Sequence, residues 1–151
     1  MLNPKFCNNF LDSCAFDPKY SPESEASLKV FSLYEDETIL LSITHSNQKE
    51  IEHPNTPSWV KKQSQLLLYT IELELTELER FQKSEIHRIL TGNGKPEKIK
   101  QDSEHVFESA KYGGYFITTD ERILKHREIL AELCMAKIVK PTEFLKVLSN
   151  T

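Results

Sequence analysis

Length, composition and charge are those of a single globular domain. The chain has 151 residues, of which 38% are hydrophobic and 28% charged, and its three cysteines are too few for a disulfide framework. No apolar run approaches the roughly 20 residues of a membrane span, the amino terminus lacks a signal-peptide pattern, and a net charge of −4 excludes a global basic field for nucleic acid. We therefore expect one domain over residues 1–151, located in the cytoplasm.

The first half of the chain alternates apolar runs with segments of helical period. Residues 38–43 are almost continuously apolar, as in a strand that is buried on both faces. Ser21 and Pro22 have the residue types of an N-cap and a first helical turn, and a helix of three to four turns is predicted after them. The predicted strands cover residues 6–11, 38–43 and 68–75 (the last could instead extend a helix), and further helices are predicted over residues 47–52 and 57–67.

Capping residues and glycines delimit the elements of the second half. Thr76-Glu77-Leu78-Glu79 is a capping box that begins a helix, and Gly92-Asn93-Gly94 ends it. Asp102-Ser103 predicts the start of the next helix, which Gly113-Gly114 closes. The remaining predictions are a strand over residues 115–118, a second capping box over 118–121, a strand over 136–139 and a terminal helix that begins at Pro141. The whole pattern predicts an α/β fold with three layers, α/β/α, and a mainly parallel central sheet.

Acidic residues lie close to the ends of the predicted strands, where the working surface of a parallel sheet is found. Asp12 follows the first strand, Asp120 follows the strand near residue 117, Glu50 lies in the segment after residues 38–43, and Asp102 begins a helix. Carboxylates that converge on one rim repel one another unless a cation lies between them, and oxygen ligands favour Mg²⁺ or Mn²⁺. The alternative is that Asp12 and Asp102 are helix caps and that Glu50 and Asp120 are solvated. Asp17 and Glu104 are further acids nearby.

Four segments, in this order, resemble the motifs of PIN-domain ribonucleases. Residues 10–17, Phe-Leu-Asp-Ser-Cys-Ala-Phe-Asp, look like the opening strand and its Asp. Asp102-Ser103-Glu104-His105 is similar to the family's Asp-x-x-His helix, residues 115–120 resemble the strand with Thr-x-Asp, and residues 138–145 resemble the closing strand and terminal helix. The first strand departs from the pattern through Asn8-Asn9, and residues 68–100 form a longer stretch than in compact members.

The resemblance implies a metal-dependent nuclease that hydrolyses RNA phosphodiester bonds with one or two Mg²⁺ or Mn²⁺ ions. Asp12, Asp102 and Asp120 fall on the acids of its motifs, both as catalytic residues and as metal ligands. Glu50 matches only a loose Ser-x-x-x-Glu-Ile pattern, and Glu52 competes with it. The resemblance also implies that the chain could be the toxin of a toxin–antitoxin pair, with an antitoxin protein and a homodimer as partners.

Basic residues near these acids are candidates for RNA binding, since phosphates must be held beside the metal. Lys95, Lys98 and Lys100 occupy a predicted loop that leads to Asp102, and Arg122, with Lys125 and Arg127, follows Asp120. For each of these residues a solvated surface charge is the competing interpretation.

Other candidate residues have simpler explanations. His45 and His53 flank Glu50 without forming a His-Glu-x-x-His zinc motif, and we interpret them as surface or capping histidines. His105 could contact the acids or be an ordinary half-buried histidine, and no base is identified that would activate Cys14 as a nucleophile. The alternative functions are a catalytically silent PIN-like scaffold that binds RNA or protein and a different α/β hydrolase, although no Gly-x-Ser-x-Gly motif is present.

Overall fold

Five parallel strands form the central sheet. The computed structural model describes residues 2–16, 18–44, 58, 68–69 and 74–151. The strands are β1 (Asn8–Leu11), β2 (Leu40–Ile43), β3 (Leu68–Tyr69), β4 (Tyr115–Ile117) and β5 (Lys137–Val139). Their order across the sheet is β3-β2-β1-β4-β5, and every neighbouring pair is parallel.

Six α-helices lie among the described residues. They are α1 (Glu23–Glu35), α2 (Glu77–Thr91), α3 (Pro96–Tyr112), α4 (Glu121–Leu124), α5 (Arg127–Cys134) and α6 (Pro141–Ser149). Short 3-10 turns at Pro4–Phe6 and Ser13–Ala15 precede and follow β1. Within these described ranges, no helix is long and apolar enough to cross a membrane.

Alternation along the strands divides the core into two halves, one on each face of the sheet. Leu11 of β1 packs with Val30 of α1 and Phe144 of α6 on one face. Phe10, the preceding residue, packs on the other face with side chains from α2, α3 and α5 such as Val106. Successive side chains of a strand point to opposite faces, so two fully apolar neighbours require helices on both sides. The three-layer α/β/α architecture with a parallel sheet is therefore confirmed.

Local signals in the sequence predict several element boundaries correctly. The Thr76 hydroxyl accepts a hydrogen bond from the Glu79 amide at 3.2 Å, and the Glu79 carboxylate accepts one from the Thr76 amide at 3.0 Å, which completes the capping box of α2. This helix ends at Thr91, directly before Gly92. The terminal helix α6 begins at Pro141, as predicted. Boundaries set by contacts three or four residues apart can be read from the chain alone.

The start of α3 is a prediction that was wrong. The helix begins at Pro96, six residues before Asp102, so Lys98 and Lys100 lie on a helix and not in a loop. Pro96 in the first turn has the fixed φ that a helix start favours, and Ile99 is buried in the same core half as Val106. Burial of Ile99 extends the helix through a lysine-rich segment whose sequence has little apolar periodicity.

The amino-terminal predictions were correct in type but not in their limits. β1 begins at Asn8 and not at Phe6, and α1 begins at Glu23 with Pro22 at the N-cap position. The Ser21 hydroxyl does not cap the helix but donates to the Glu25 carboxylate at 2.9 Å. The helices predicted over residues 47–52 and 57–67 lie outside the described residues, and of the strand over 68–75 only residues 68–69 are described as strand.

A buried asparagine holds the amino-terminal turn to the sheet. The side chain of Asn9 is fully buried in β1, and its amide donates to the carbonyl oxygens of Leu40 at 3.0 Å and Pro4 at 2.9 Å. A polar residue in a central strand is tolerated only when its hydrogen bonds are made internally. These contacts explain how an asparagine fits a strand position that is otherwise apolar.

Gly114 lies between the end of α3 and the start of β4. Its φ is +99°, and a Cβ atom at this position would overlap the carbonyl group of Asn8. Gly113 also has a positive φ of +78°, but a Cβ atom there would meet nothing within 4 Å. The close passage of the chain over the beginning of β1 therefore requires glycine at 114.

Candidate metal centre

The order of the strands identifies the edge at which a site is expected. From β1 the chain proceeds outward through β2 to β3 and then crosses to β4 on the other side of β1. The direction of progression thus reverses between β1 and β4, and sheets of this kind generally bind their ligands beyond the carboxyl ends of the strands at such a reversal. Asp12 directly follows β1, and Thr118 directly follows β4.

Asp12 is fixed by contacts with the neighbouring strand. Its backbone amide donates to the carbonyl oxygen of Ile117 at 2.9 Å. Its side chain is only 4% exposed, and Oδ2 accepts hydrogen bonds from Thr118 Oγ1 at 2.7 Å and from Cys14 Sγ at 3.3 Å. A buried carboxylate with two donors on one oxygen is held in a defined orientation.

The hydroxyl of Thr118 connects two of the predicted acids. It is fully buried, donates to Asp12, and accepts a hydrogen bond from the Asp120 backbone amide at 3.0 Å. The sequence predicted a capping box over residues 118–121, and this was wrong: the N-cap of α4 is Asp120, whose Oδ1 accepts from the Arg122 amide at 2.9 Å. Thr118 serves the carboxylate across the sheet because the pairing of β1 with β4 places that carboxylate beside it.

Asp102 lies in the second turn of α3, in the field of the other two acids. Burial, and then the charges of Asp120 and Asp12, raise the pKa of Asp102 from 3.8 to about 6. Two basic residues lower this pKa in part: His105, which is fully buried one turn further along α3, and Arg122. The structure therefore brings Asp12, Asp102 and Asp120 into one electrostatic environment, although they belong to three separate parts of the chain.

Oxygen donors in this environment have the chemistry that Mg²⁺ and Mn²⁺ prefer. Burial is the largest cause of the raised pKa of Asp102, and a cation would offset the second cause, the repulsion by Asp120 and Asp12. Among the residues that the structure describes, however, no group of three or more His, Cys, Asp or Glu side chains lies close enough together to hold one metal ion. Mg²⁺ retains several water ligands and commonly binds through only one or two carboxylates. The donor set thus fits a hydrated divalent cation and does not form a closed cage of protein ligands.

Several predicted site residues lie outside the described residues. These are Glu50, its competitor Glu52, and the nearby Asp17, His45 and His53. Glu104, the remaining acid considered, is described and lies half-buried on α3 next to Ser103. The assignment of a fourth carboxylate to Glu50 therefore stays a prediction.

Cys14 is a hydrogen-bond donor in this arrangement. Its sulfur lies 3.3 Å from both Asp12 Oδ2 and Thr118 Oγ1. Loss of hydration at the sulfur and the nearby Asp12 carboxylate raise the pKa of the thiol well above its usual range. A thiol that stays protonated is a poor nucleophile, so the role of Cys14 is to donate to Asp12. The sequence carried no signal for this contact beyond the spacing of two residues.

The basic candidates differ in their relation to the acids. Arg122 is exposed, and its charge lowers the pKa of Asp102. Lys95, Lys98 and Lys100 are exposed at the N-cap and in the first turns of α3, ahead of Asp102. Arg127 pairs instead with the Glu143 carboxylate at 2.8 Å. Arg122 is therefore the candidate cation that the structure relates most directly to the acidic residues.

Neither a protein-family model nor a curated protein sequence matches this chain.

Proposed function

We propose that this protein is a divalent-metal-dependent ribonuclease that hydrolyses RNA phosphodiester bonds. The observation that carries the proposal is the hydrogen-bonded series Asp12–Thr118–Asp120 at the strand-order reversal, together with Asp102 in the same field. A buried carboxylate is costly unless it is hydrogen-bonded, and the Asp12 carboxylate is buried with two donors to its Oδ2 atom. The PIN-domain resemblance of the same residues supports this function.

Asp12, Asp102 and Asp120, with Glu50 as a fourth, would hold Mg²⁺ or Mn²⁺, one or two of them directly and the others through its water ligands. When bound, such a cation polarises a phosphoryl oxygen and lowers the pKa of a water ligand. Thr118 and Cys14 orient the Asp12 carboxylate through their hydrogen bonds to Oδ2. Asp120 is fixed through its backbone amide and through its cap on α4. The side chains of Arg122, Lys95 and Lys98 are available for phosphates of the RNA on either side of the acids.

A catalytically silent domain that binds RNA or protein is the second candidate. It is favoured because no three potential ligands converge within the described ranges. If the protein is a ribonuclease, it could also be the toxin of a toxin–antitoxin pair, with an antitoxin protein as partner and a homodimer as its assembly. The family resemblance is the support for this role.

Cleavage of labelled single-stranded RNA by purified protein in Mn²⁺ and in EDTA tests the proposal. We expect cleavage in Mn²⁺ only, and a loss of about 100-fold or more in Asp12→Asn, because several kcal/mol of transition-state stabilisation depend on the cation. Asp36→Asn is the matched control: it makes the same chemical change at an exposed position after α1 and should leave cleavage unchanged. A folded wild-type protein that cuts none of several RNAs would favour the silent domain, and equal cleavage by wild type and Asp12→Asn would refute the assignment.

A further inference from the structure

An exposed aromatic ring lies beside the acidic site, at the same edge of the sheet. Tyr20 is 45% exposed and precedes α1, to which its backbone is tied by the Ser24 amide, which donates to the Tyr20 carbonyl at 3.0 Å. Lys140 directly follows β5, and its Nζ lies 3.7 Å from Oε1 of Glu121, the residue after Asp120. A path of surface residues thus runs from Asp120 through Glu121 to Lys140.

A buried carboxylate brings the starts of α1 and α6 together, and with them Tyr20 and Lys140. Glu23 is only 4% exposed, and its two carboxylate oxygens accept hydrogen bonds from the amide and the hydroxyl of Thr142, both at 2.9 Å. Tyr20 lies three residues before Glu23, and Lys140 lies two residues before Thr142. Charge-assisted hydrogen bonds of this kind fix the two helix starts against each other.

The charges around Tyr20 indicate how closely these groups act on one another. Loss of hydration and the Glu23 carboxylate raise the pKa of the Tyr20 phenol, and the Lys140 ammonium opposes them. The Glu121 carboxylate raises this pKa further, and Cys14 is a neighbour of the same ring. Tyr20 is therefore a neutral, partly exposed ring at pH 7, next to a cation and close to the Asp12 side of the site.

We propose that Tyr20 and Lys140 form a binding surface for single-stranded RNA, in which a base stacks on the Tyr20 ring and Lys140 Nζ binds a phosphate of the same strand. This inference rests on the proposed function, because the surface continues from the acids at which that function places phosphodiester cleavage. Stacking on an aromatic ring beside a positive charge is the general mode of binding single strands without reading their sequence. Lys140 exchanges its exposed partner Glu121 for a phosphate, which costs little because exposed ion pairs are weak.

Fluorescence anisotropy of a labelled oligoadenylate tests this surface. The measurement is made in EDTA, which prevents cleavage, first at low ionic strength and then at a series of salt concentrations. Tyr20→Ala should weaken binding by about 5- to 150-fold, the range for one stacked base, and Tyr20→Phe should bind like the wild type because it keeps the ring. Lys140→Gln should reduce the slope of log affinity against log salt by about 0.7, as expected for one lost phosphate contact with a single strand.

Phe6→Ala is the matched control. Phe6 is 83% exposed and precedes β1, so it lies at the opposite edge of the sheet, and its replacement should leave affinity unchanged. An oligonucleotide carrying abasic sites one position at a time supplies a test that needs no variant. Removal of one particular base should weaken binding to the wild type as much as Tyr20→Ala does, and should have no further effect on that variant.

Each outcome bears on one proposal or on both. The stacking surface is refuted if Tyr20→Ala binds within twofold of the wild type, if Tyr20→Phe binds as weakly as Tyr20→Ala, or if no single base matters. RNA binding that depends on Tyr20, from a protein that cuts nothing in Mn²⁺, supports the surface and refutes the nuclease. Cleavage without any dependence on Tyr20 supports the nuclease and refutes the surface. A wild-type protein that binds no RNA in EDTA refutes the surface, and cleavage in Mn²⁺ then decides the nuclease.

Discussion

Replacement of Asp102 by asparagine removes one of the three acids while keeping the size of the side chain. Burial and the charges of Asp120 and Asp12 raise the pKa of Asp102 from 3.8 to about 6. The folded protein therefore holds this proton more tightly than the unfolded chain does. The contribution of Asp102 to the free energy of unfolding is fully present below about pH 4 and is lost as the pH rises through about 6.

The size of the effect follows from the same pKa. A change from 3.8 to about 6 corresponds to about 3 kcal/mol for a carboxylate that is fully shielded from water. Asp102 is only half-buried, and solvent screening reduces this to on the order of 1 kcal/mol. Between pH 4.5 and 7.5, in EDTA, the wild type should lose on the order of 1 kcal/mol of stability that Asp102→Asn does not lose.

Urea denaturation at both pH values measures this difference directly, since the linear extrapolation gives the free energy of unfolding for each protein. Comparison with Asp102→Asn cancels the contributions of titratable groups that do not interact with Asp102. Asp36→Asn, at an exposed position, should keep the wild-type dependence on pH, and Asp12→Asn should reduce it because one of the repelling charges is gone. If wild type and Asp102→Asn change in parallel between pH 4.5 and 7.5, the three carboxylates do not share one electrostatic environment.

Three further predictions follow from the site and from the fold. Mn²⁺ should raise the melting temperature of the wild type relative to EDTA, and raise that of Asp12→Asn less, because the cation binds the folded state and offsets carboxylate repulsion; an unchanged wild-type melting temperature argues against the metal site. Thr118→Val should lower the free energy of unfolding by about 1–3 kcal/mol, because the buried Asp12 carboxylate loses its 2.7 Å donor, and a change below 0.5 kcal/mol in urea denaturation would contradict that role. Gly114→Ala should fail to give a stable fold by circular dichroism, because the new Cβ atom would overlap the Asn8 carbonyl. Gly113→Ala meets no neighbouring atom and should cost only the backbone strain of its positive φ, about 1–3 kcal/mol; equal stability of the two variants would contradict the close passage.

Much of the fold was predictable because its signals are local. The capping box at Thr76, the glycine after α2 and the proline at the start of α6 act over three or four residues, and each is found where the sequence places it. The alternation of apolar runs with helical segments predicted the parallel sheet and its two helical layers. The acids Asp12 and Asp120 were identified because each follows a strand, and the carboxyl ends of parallel strands meet at one edge.

Tertiary structure decided the features that depend on distant partners. The helix α3 begins at Pro96 because Ile99 packs into a core assembled from residues as far away as Phe10 and Ile138. No local pattern could reveal that packing. The surface that joins Tyr20 to Lys140 likewise depends on Glu23 accepting hydrogen bonds from Thr142, 119 residues later.

The sequence by itself determined which residues could form an acidic site and at which edge of the sheet. It could not determine that the Thr118 hydroxyl would orient Asp12, 106 residues away, when the local pattern indicated a helix cap. That contact exists only because β1 and β4 pair in a register that opposes Leu11 to Ile117. Sequence patterns specify the hydrogen-bonding capacity of a side chain, and the pairing of strands selects the partner that uses it.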